Sequence, residues 1–258
     1  MQRGHSKPTL RVRWLGKLPY AEAWDLQKAL WEGRITERSS WDYLLLVEHP
    51  HVYTIGRNGD SSNLLVNTDR LKELKAERFD VDRGGDITYH GPGQVVGYPI
   101  IRLDDPKRIS AYVGKMQQAL IATLADFGID AWAEDGFTGV WTAQGKIAAI
   151  GVRVARGVTM HGFALNVDPD MSYFDHLHPC GITDRSVTSM SELLGRRVSM
   201  AEVIERLIPV FAMTFGYASP ETQLGAFTRA QGRSREFEVD RLVAEGTFSP
   251  ERHHEVPI

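Results

Sequence analysis

The sequence contains a single cysteine, Cys180, among its 258 residues. One cysteine cannot form a disulfide within the chain and cannot build a thiolate metal site alone, so its role is either packing or reactivity. Long uninterrupted apolar runs are also missing, which argues against a membrane-spanning helix. The first residues, MQRGHSKPTLRV, lack the apolar stretch of a secretory signal. We therefore expect a cytoplasmic protein that does not enter a membrane.

A strong excess of charge of either sign is absent as well. The formal net charge is −3, which gives no electrostatic reason to expect a nucleic acid as partner. The hydrophobic content of 42% and the charged content of 24% are ordinary for a globular protein. The length and the change to a polar composition predict one domain over residues 1–218 and a polar C-terminal extension of unknown role over residues 219–258.

The apolar patterns predict an α+β fold, with a mixed, largely antiparallel sheet flanked by helices, because strands come in groups rather than alternating with helices. Helices are expected at Tyr20–Ile35, at about Ile109–Phe127 and near Met200–Phe215. Strands are expected at Leu10–Leu15, Tyr43–Val47, Val52–Gly56, Phe79–Arg83, Gln94–Leu103, Gly139–Thr142, Lys146–Ala155 and Val158–Val167. The last three should form an antiparallel meander, since they are separated by the turn signals AQG and ARG.

Two segments are predicted to be loops. GGDITYHGPG, between two expected strands, carries four glycines, which indicates unusual backbone geometry or a close backbone approach. It does not fit a dinucleotide fingerprint, because it leads into the strand-like run QVVGYPI where that motif requires a helix. The stretch Asp168–Ser189 has little periodicity and should be a long ordered loop.

Cys180 lies in this second segment, within HPCGITD. A lone cysteine is often just a small buried hydrophobe. A structural cysteine, however, usually replaces an apolar residue in a strand or helix, whereas a nucleophile sits on a loop held by a scaffold. The proline before it and the glycine after it favour the nucleophile.

A cysteine that accepts an acyl group needs a nearby cation or base, because its thiol is mostly protonated at neutral pH. Lys146 is the candidate, since it opens the otherwise apolar run KIAAIGVRV. The alternative is a strand-end lysine whose ammonium group reaches water.

Two of the nine histidines, His90 and His161, each precede a glycine, in YHGPGQ and MHGFALNV. Both could be hydrogen-bonded structural residues, but we favour a role in shaping a substrate pocket. The pairs in HLH and HH suggest a metal, yet no carboxylate or cysteine pattern completes a familiar ligand set. We expect neither a metal nor another cofactor.

Four ordered blocks, RGGDITYHGPGQ, GKIAAIGVRV, MHGFALNV and HPCGI, closely resemble the lipoyl(octanoyl) transferases, also called the lipoate-protein ligase B family. The resemblance covers roughly Val12 to Phe215. It implies a fold similar to the catalytic domains of biotin and lipoate protein ligases, so residues 1–218 would be an octanoyltransferase catalytic domain. It also implies transfer of octanoyl from octanoyl-acyl carrier protein to a lysine on lipoyl domains of 2-oxoacid dehydrogenase complexes and on the glycine cleavage H protein.

The resemblance further implies a Cys/Lys dyad and a thioester intermediate. Cys180 would be the nucleophile, and Lys146 the partner that lowers its pKa. The acyl-binding walls would be Arg83, Gly84, Gly85, Asp86, Ile87, Thr88, Tyr89, His90, Ala149, Ile150, Gly151, Gly162, Phe163 and Ala164. We expect Gly162 to leave space for substrate, so that Gly162→Val would depress activity while the fold survives.

Two alternatives stay open. An ATP-dependent lipoate or biotin ligase of the same fold would use RGGD as a phosphate-contacting loop and Cys180 as a structural residue. A non-catalytic module that binds lipoyl carriers would have kept the groove and lost turnover, although the presence of both Cys180 and Lys146 argues against it.

Overall fold

The computed structural model describes residues 9–36, 41–178 and 186–224. The strands of this part are β1 (Leu10–Lys17), β2 (Asp42–Glu48), β3 (Val52–Ile55), β4 (Glu77–Asp80), β5 (Ile87–His90), β6 (Gln94–Ile100), β7 (Trp132–Glu134), β8 (Phe137–Thr142), β9 (Gly145–Ala155), β10 (Val158–Asn166) and β11 (Glu221–Gln223). Its helices are α1 (Tyr20–Ile35), α2 (Thr68–Glu73), α3 (Ile109–Ala125), α4 (Met190–Leu194) and α5 (Met200–Phe215). Two short 3₁₀ turns lie at Ser61–Asn63 and Met171–His176.

Eight strands form one mixed sheet in the order β11-β1-β2-β6-β10-β9-β8-β7. Strand β1 runs parallel to β2 and β11, and the remaining described pairs of this sheet are antiparallel. A second sheet of three strands has the order β4-β3-β5. The predicted α+β class, with a mixed and largely antiparallel sheet, is confirmed.

The central strand β2 shows how the large sheet is buried on both faces. Leu44 and Leu46 point into the cluster formed with α3 and α5, whereas Leu45 and Val47 point into the cluster under α1. Because successive side chains of a strand alternate between faces, a continuously apolar strand needs cover on both sides. The helices provide that cover.

The ends of α4 and α5 are fixed by their own sequences. Ser189 and Ser199 each accept a hydrogen bond from the backbone N–H three residues on, and the Glu192 and Glu202 carboxylates each accept one from the backbone N–H of the cap residue. Each such cap stabilises a helix by about 1 kcal/mol. The cap at Ser189 fixes the chain soon after the segment that contains Cys180.

The helices Tyr20–Ile35 and Met200–Phe215 and the meander β8-β9-β10 are confirmed, and α3 ends two residues before the expected Phe127. Two strand predictions need correction. The strand expected at Phe79–Arg83 lies at Glu77–Asp80, where it pairs with β3, and the one expected at Gln94–Leu103 ends at Ile100.

The loop predictions were partly wrong. GGDITYHGPG contains strand β5, which pairs antiparallel with β3, and Asp168–Ser189 contains a 3₁₀ turn. Helices α2 and α4 and strands β7 and β11 were not anticipated. Strand β11 lies in the predicted extension and adds to the sheet edge, where Glu221 forms a 2.6 Å ion pair with the buried Arg13.

Among the described residues, no helix is both long enough and apolar enough to cross a bilayer.

Candidate functional site

A cavity of about 280 Å³ lies among strands of both sheets. The predicted wall residues that line it are Arg83, Gly85, Asp86, Ile87, Thr88, Tyr89, His90, Ala149, Ile150, Gly151, Gly162, Phe163 and Ala164. Lys146 lines it too. Gly84 does not, but its backbone N–H donates to the Val152 carbonyl at 2.9 Å and ties this loop to β9. Three of the four sequence blocks, far apart along the chain, therefore meet around one space, and the fourth, HPCGI, lies outside the described residues except for His178.

Lys146 is the second residue of β9 and is positioned by its neighbours on β8. A Cβ atom at Gly139 would lie 3.2 Å from the Lys146 Cε, so the absence of a side chain there makes room for the lysine stem. The Nζ atom lies 4.8 Å from the ring centroid of Trp141, within cation–π range. The lysine side chain therefore packs against Gly139 and Trp141 of β8.

Cys180 lies outside the described residues, which stop at His178 and resume at Ser186. The described residues on both sides of this segment are hydrogen-bonded to residues in or next to the cavity wall. The His178 N–H donates to the Asn63 carbonyl at 2.8 Å, and the Lys146 N–H donates to the Ser186 carbonyl at 3.0 Å. Leu177, on the N-terminal side, lines the cavity.

Two buried amides connect the C-terminal flank to the cavity. The Gln94 Nε2 donates to the Asn166 Oδ1 at 2.8 Å, and the Asn166 Nδ2 donates to the Thr188 carbonyl at 3.0 Å. The Thr188 N–H in turn donates to the Lys146 carbonyl at 3.0 Å. Strands β6, β9 and β10 and the chain after Ser186 therefore share one polar network.

The Asp86 carboxylate stabilises the turn at Asn63, to which the N-terminal flank at His178 is bonded. It accepts hydrogen bonds from the Asn63 side-chain amide at 2.7 Å and from the Asp60 backbone N–H at 3.2 Å. Asn63 is also the residue whose carbonyl receives the His178 N–H. The RGGD loop thus supports the turn on which the N-terminal flank rests.

A group of buried aromatic and imidazole side chains lies beside α1. The His49 Nδ1–H donates to the Leu18 carbonyl and its Nε2 accepts from the Tyr98 hydroxyl, both at 2.7 Å. Burial lowers the pKa of His49 to about 4, and burial likewise holds the pKa of His90 well below its usual range. The Tyr20 ring stacks on His90 at a centroid distance of 6.2 Å. These imidazoles are neutral at pH 7.

His161 has an unusual backbone within β10. Its φ is +56°, a left-handed conformation that is uncommon outside glycine, although asparagine, aspartate and histidine adopt it more often than other residues. The buried ring donates from Nε2 to the Asp82 Oδ1 at 2.7 Å, and Arg153 contacts the other Asp82 oxygen at 2.7 Å. Burial lowers the pKa of His161, although Asp82 opposes this effect. Burial raises the pKa of Asp82, but the His161 hydrogen bond and the charge of Arg153 outweigh it and lower the pKa.

The expectation for Gly162→Val needs correction. A Cβ atom at Gly162 would lie 2.1 Å from the backbone carbonyl oxygen of Gly97 and 2.7 Å from Pro99 Cδ. The absent side chain therefore makes room for the neighbouring strand β6 and not for substrate alone. A larger residue would disturb the sheet itself.

Sequence reasoning missed several residues of this cavity: Tyr20, Gln94, Val96, Tyr98, Gly136, Phe137, Thr138, Asn166, Phe174, Leu177 and Val187. Gln94 and Asn166 carried a usable signal, because a polar amide inside an apolar strand needs a buried partner. Tyr20 and Tyr98 carried none, since each fits an ordinary core position. The described residues include no group of three His, Cys, Asp or Glu side chains that could hold a metal ion.

Residues 19–212 match the family model "Lipoyl protein ligase A/B catalytic domain". An octanoyltransferase of Solibacter usitatus is 51% identical over 207 residues, covering 80% of this chain and 93% of the relative. One of Christiangramia forsetii is 44% identical over 223 residues, covering 80% and 95%.

Two solved structures have a similar fold. A lipoate-protein ligase A bound with ATP has a TM-score of 0.67 at 18% identity, covering 92% of this chain and 94% of the other. A bi-partite lipoate protein ligase from Thermoplasma acidophilum has a TM-score of 0.67 at 17% identity, covering 95% and 99%. At these identities the likeness concerns the fold.

Proposed function

Since the chain belongs to the family of lipoyl protein ligase A/B catalytic domains and is an acyltransferase of the octanoyltransferase group, we propose that it transfers octanoyl through a thioester on Cys180. The donor is octanoyl-acyl carrier protein. The acceptors are single lysines of lipoyl domains, in 2-oxoacid dehydrogenase complexes and in the glycine cleavage H protein.

The observation that supports this mechanism most is the anchoring on both sides of Cys180. Cys180 follows His178 by two residues, and two residues of chain span at most about 7 Å. The His178 N–H is bound to Asn63 beside the cavity, and the other flank is bound to the backbone of Lys146. The described residues on both sides of the Cys180 segment are therefore held at or beside the cavity that Lys146 lines, which supports a role for Cys180 next to this lysine.

The cavity suits an acyl chain. Ala149, Ala164 and Val96 line it with apolar side chains, and polar side chains such as Lys146, Gln94 and His161 line other parts of it. Such a space binds an alkyl chain through contact area and leaves polar recognition to the thioester end.

The proposed first half-reaction starts from the Cys180 thiolate and the Lys146 ammonium ion. The thiolate attacks the carbonyl carbon of the carrier thioester, a new C–S bond forms, and the old one breaks. The leaving thiolate of the carrier takes a proton from Lys146. The products are an octanoyl thioester on Cys180, a neutral Lys146 amine and the free carrier thiol.

The second half-reaction restores this starting state. The neutral amine of the acceptor lysine attacks the thioester carbonyl, an amide bond forms, and the Cys180 thiolate leaves. Lys146 takes the proton that the acceptor nitrogen loses. Neither half-reaction consumes ATP.

Intact-protein mass spectrometry after mixing with octanoyl-acyl carrier protein tests this proposal. The wild type should gain one octanoyl group, and Cys180→Ser should gain none and lose transfer to a lipoyl domain. A parallel sample with free octanoate and ATP tests the ligase alternative. Octanoylation of the lipoyl domain in that sample, or full transfer by Cys180→Ser, would refute the thioester route.

A further inference from the structure

Lys146 and Trp141 lie directly opposite each other on neighbouring strands because the pairing of those strands is irregular. Val140 of β8 pairs with Ala148 of β9, so a regular antiparallel register would place Trp141 opposite Ile147. The register shifts between Val140 and Trp141, and Trp141 pairs with Lys146 instead. A β-bulge re-aims side chains in this way and is common next to active sites. The shift therefore brings the indole ring to the lysine.

The Trp141 ring is fixed by contacts of its own. It is 5% exposed, and its Nε1–H donates to the Phe137 carbonyl at 3.0 Å. The Phe137 ring packs edge-on against it at a centroid distance of 6.1 Å. Strand β8 is bonded to α3 in turn, since the Gln117 side-chain amide donates to the Gly139 carbonyl at 3.0 Å. The flexible lysine stem thus packs on a ring whose position is already set.

The ring also affects the charge of the lysine, whose Nζ atom lies 4.8 Å from the indole centroid. An ammonium ion over an aromatic face is attracted by the ring, and indole gives the strongest contact of this kind. The neutral amine carries no charge and is attracted much less. In the proposed mechanism Lys146 is an ammonium ion before acylation, a neutral amine after it, and an ammonium ion again after transfer. The ring therefore favours the form that starts each cycle.

We propose that Trp141 is a positioning residue for the reaction, which holds the Lys146 side chain at the cavity and favours its ammonium form. The described residues that line the cavity do not include Trp141, so it acts through Lys146 and not on the substrate. This inference rests on the proposed acyl transfer and adds to it a residue that sets the proton affinity of the lysine.

Other ionisable groups on the described elements around Lys146 also act on its charge. They are Arg153 on its own strand, Glu134 on β7, Tyr112 and Lys115 on α3, His161 on β10, and Arg83, Asp86, His90, Tyr20, Tyr89 and Tyr98 in the cavity wall. Strand β8 itself has no ionisable residue. Substitutions at Trp141 leave all these groups in place.

Trp141→Phe and Trp141→Leu form a matched pair of variants. Both lose the hydrogen bond to the Phe137 carbonyl, and both open space that water can enter, which by itself favours the ammonium form. Only phenylalanine keeps an aromatic face for the lysine. The difference between the two variants therefore reports the ring contact. Trp132→Leu is the control, because Trp132 is 42% exposed, pairs with Trp141 across the hairpin and is not among the residues that line the cavity.

The first measurement is the pH dependence of Lys146 acetylation by acetic anhydride, read by mass spectrometry of the labelled peptide, with circular dichroism to confirm folding. Only the neutral amine reacts, so the pH midpoint reports protonation of this lysine. We expect the midpoint in Trp141→Leu to lie about half a pH unit or more below that in Trp141→Phe, which is about threefold in the protonation constant. Trp132→Leu should match the wild type.

The second measurement is the single-turnover rate of acylation by octanoyl-acyl carrier protein over the same pH range. Lys146 supplies the proton in this step, so the decline of the rate at high pH should begin at a lower pH in Trp141→Leu than in Trp141→Phe. A purely structural defect would lower the rate at every pH and leave the midpoint in place.

Equal acetylation midpoints in the two folded variants, or a higher midpoint in Trp141→Leu, would overturn the proposal. If Trp141→Leu does not fold, the wild type grown with fluorinated tryptophan decides, because fluorine withdraws charge from the ring face and changes the size of the ring little. Its midpoint should fall, and an unchanged midpoint would refute the ring contact. Failure of the underlying acyl transfer is distinguishable, because the wild type would then form no octanoyl adduct, whereas the acetylation comparison would still be valid.

Discussion

Replacement of Asn166 by leucine should damage both the stability and the chemistry of this protein. Asn166 is 4% exposed and bonds Gln94 on one side and the Thr188 carbonyl on the other. Leucine has a similar size and can make neither bond. The substitution therefore tests the polar network without opening a large cavity.

The expected loss of stability follows from the groups left behind. The Thr188 carbonyl loses its side-chain donor, while Gln94 keeps one hydrogen bond, at 3.2 Å to the Tyr89 carbonyl. A buried polar group that loses its partner costs about 1–3 kcal/mol. The Thr188 carbonyl would lose its side-chain donor, and the Gln94 amide would keep one of its two hydrogen bonds. We therefore expect the free energy of unfolding to decrease by about 2–4 kcal/mol.

The chemical effect should exceed the loss of folded protein. Asn166 holds the chain that follows Cys180, and a misplacement of about 1 Å in an active site can reduce a rate a hundredfold. We expect the acylation rate per folded molecule to fall by about ten- to a hundredfold.

Urea unfolding and single-turnover acylation by mass spectrometry measure the two effects. The matched control is Asn67→Ala, because Asn67 caps α2 through a bond to the Arg70 N–H and does not line the cavity. The control should lose about 1 kcal/mol and keep its acylation rate. A stability change below about 0.5 kcal/mol in Asn166→Leu, within the scatter of surface substitutions, or a normal rate per folded molecule, would refute the reasoning.

Three further predictions concern other parts of the site. Lys146→Met should raise the pH midpoint of Cys180 alkylation, whereas Lys146→Arg should retain some acylation but lose transfer to the acceptor lysine, since arginine stays protonated. Identical alkylation profiles and half-reaction rates in the wild type and both variants would show that Lys146 is an ordinary solvated lysine. Gly162→Val should lower the melting temperature and the activity together, because its side chain would meet the Gly97 carbonyl; a melting temperature equal to that of the wild type would contradict this. As the pH falls from 6.5 to about 4, the free energy of unfolding should decrease by about 3 kcal/mol, since the His49 imidazole binds a proton in that window in the unfolded chain but not in the folded one. Urea unfolding at both pH values measures this, and His49→Gln is the control whose stability should depend less on pH.

Periodicity alone predicted the large sheet and its covering helices, because long amphipathic or doubly buried elements leave a clear pattern. The limits Tyr20–Ile35 and Met200–Phe215 agree with the structure for this reason. Strand β5 was missed because it has four residues and its neighbours are glycines, which indicated a loop. Strand β11 was missed because its pairing depends on the buried Arg13, far away in sequence.

The candidate site was anticipated from the motif blocks, but not the way in which it is held. Glycine and histidine patterns drew attention to residues that do line one cavity. No local pattern could show that Asp86 supports the Asn63 turn, or that His161 is bonded to Asp82, because such contacts arise from the packing of two sheets. The roles of these residues toward substrate stay predictions.

The fold does not distinguish a transferase from an ATP-dependent ligase, since solved lipoate ligases share it. The proposed mechanism differs from that of a ligase in what it requires of the Cys180 segment. A thioester intermediate has to keep its carbonyl in one place while two different proteins approach in turn, the acyl donor first and the lipoyl domain second. The described chain on either side of that segment is hydrogen-bonded, at His178 to Asn63 and at Ser186 to Lys146, as the proposed mechanism would require. In the ligase alternative Cys180 would be a structural residue, so the mechanism would not depend on how this segment is held.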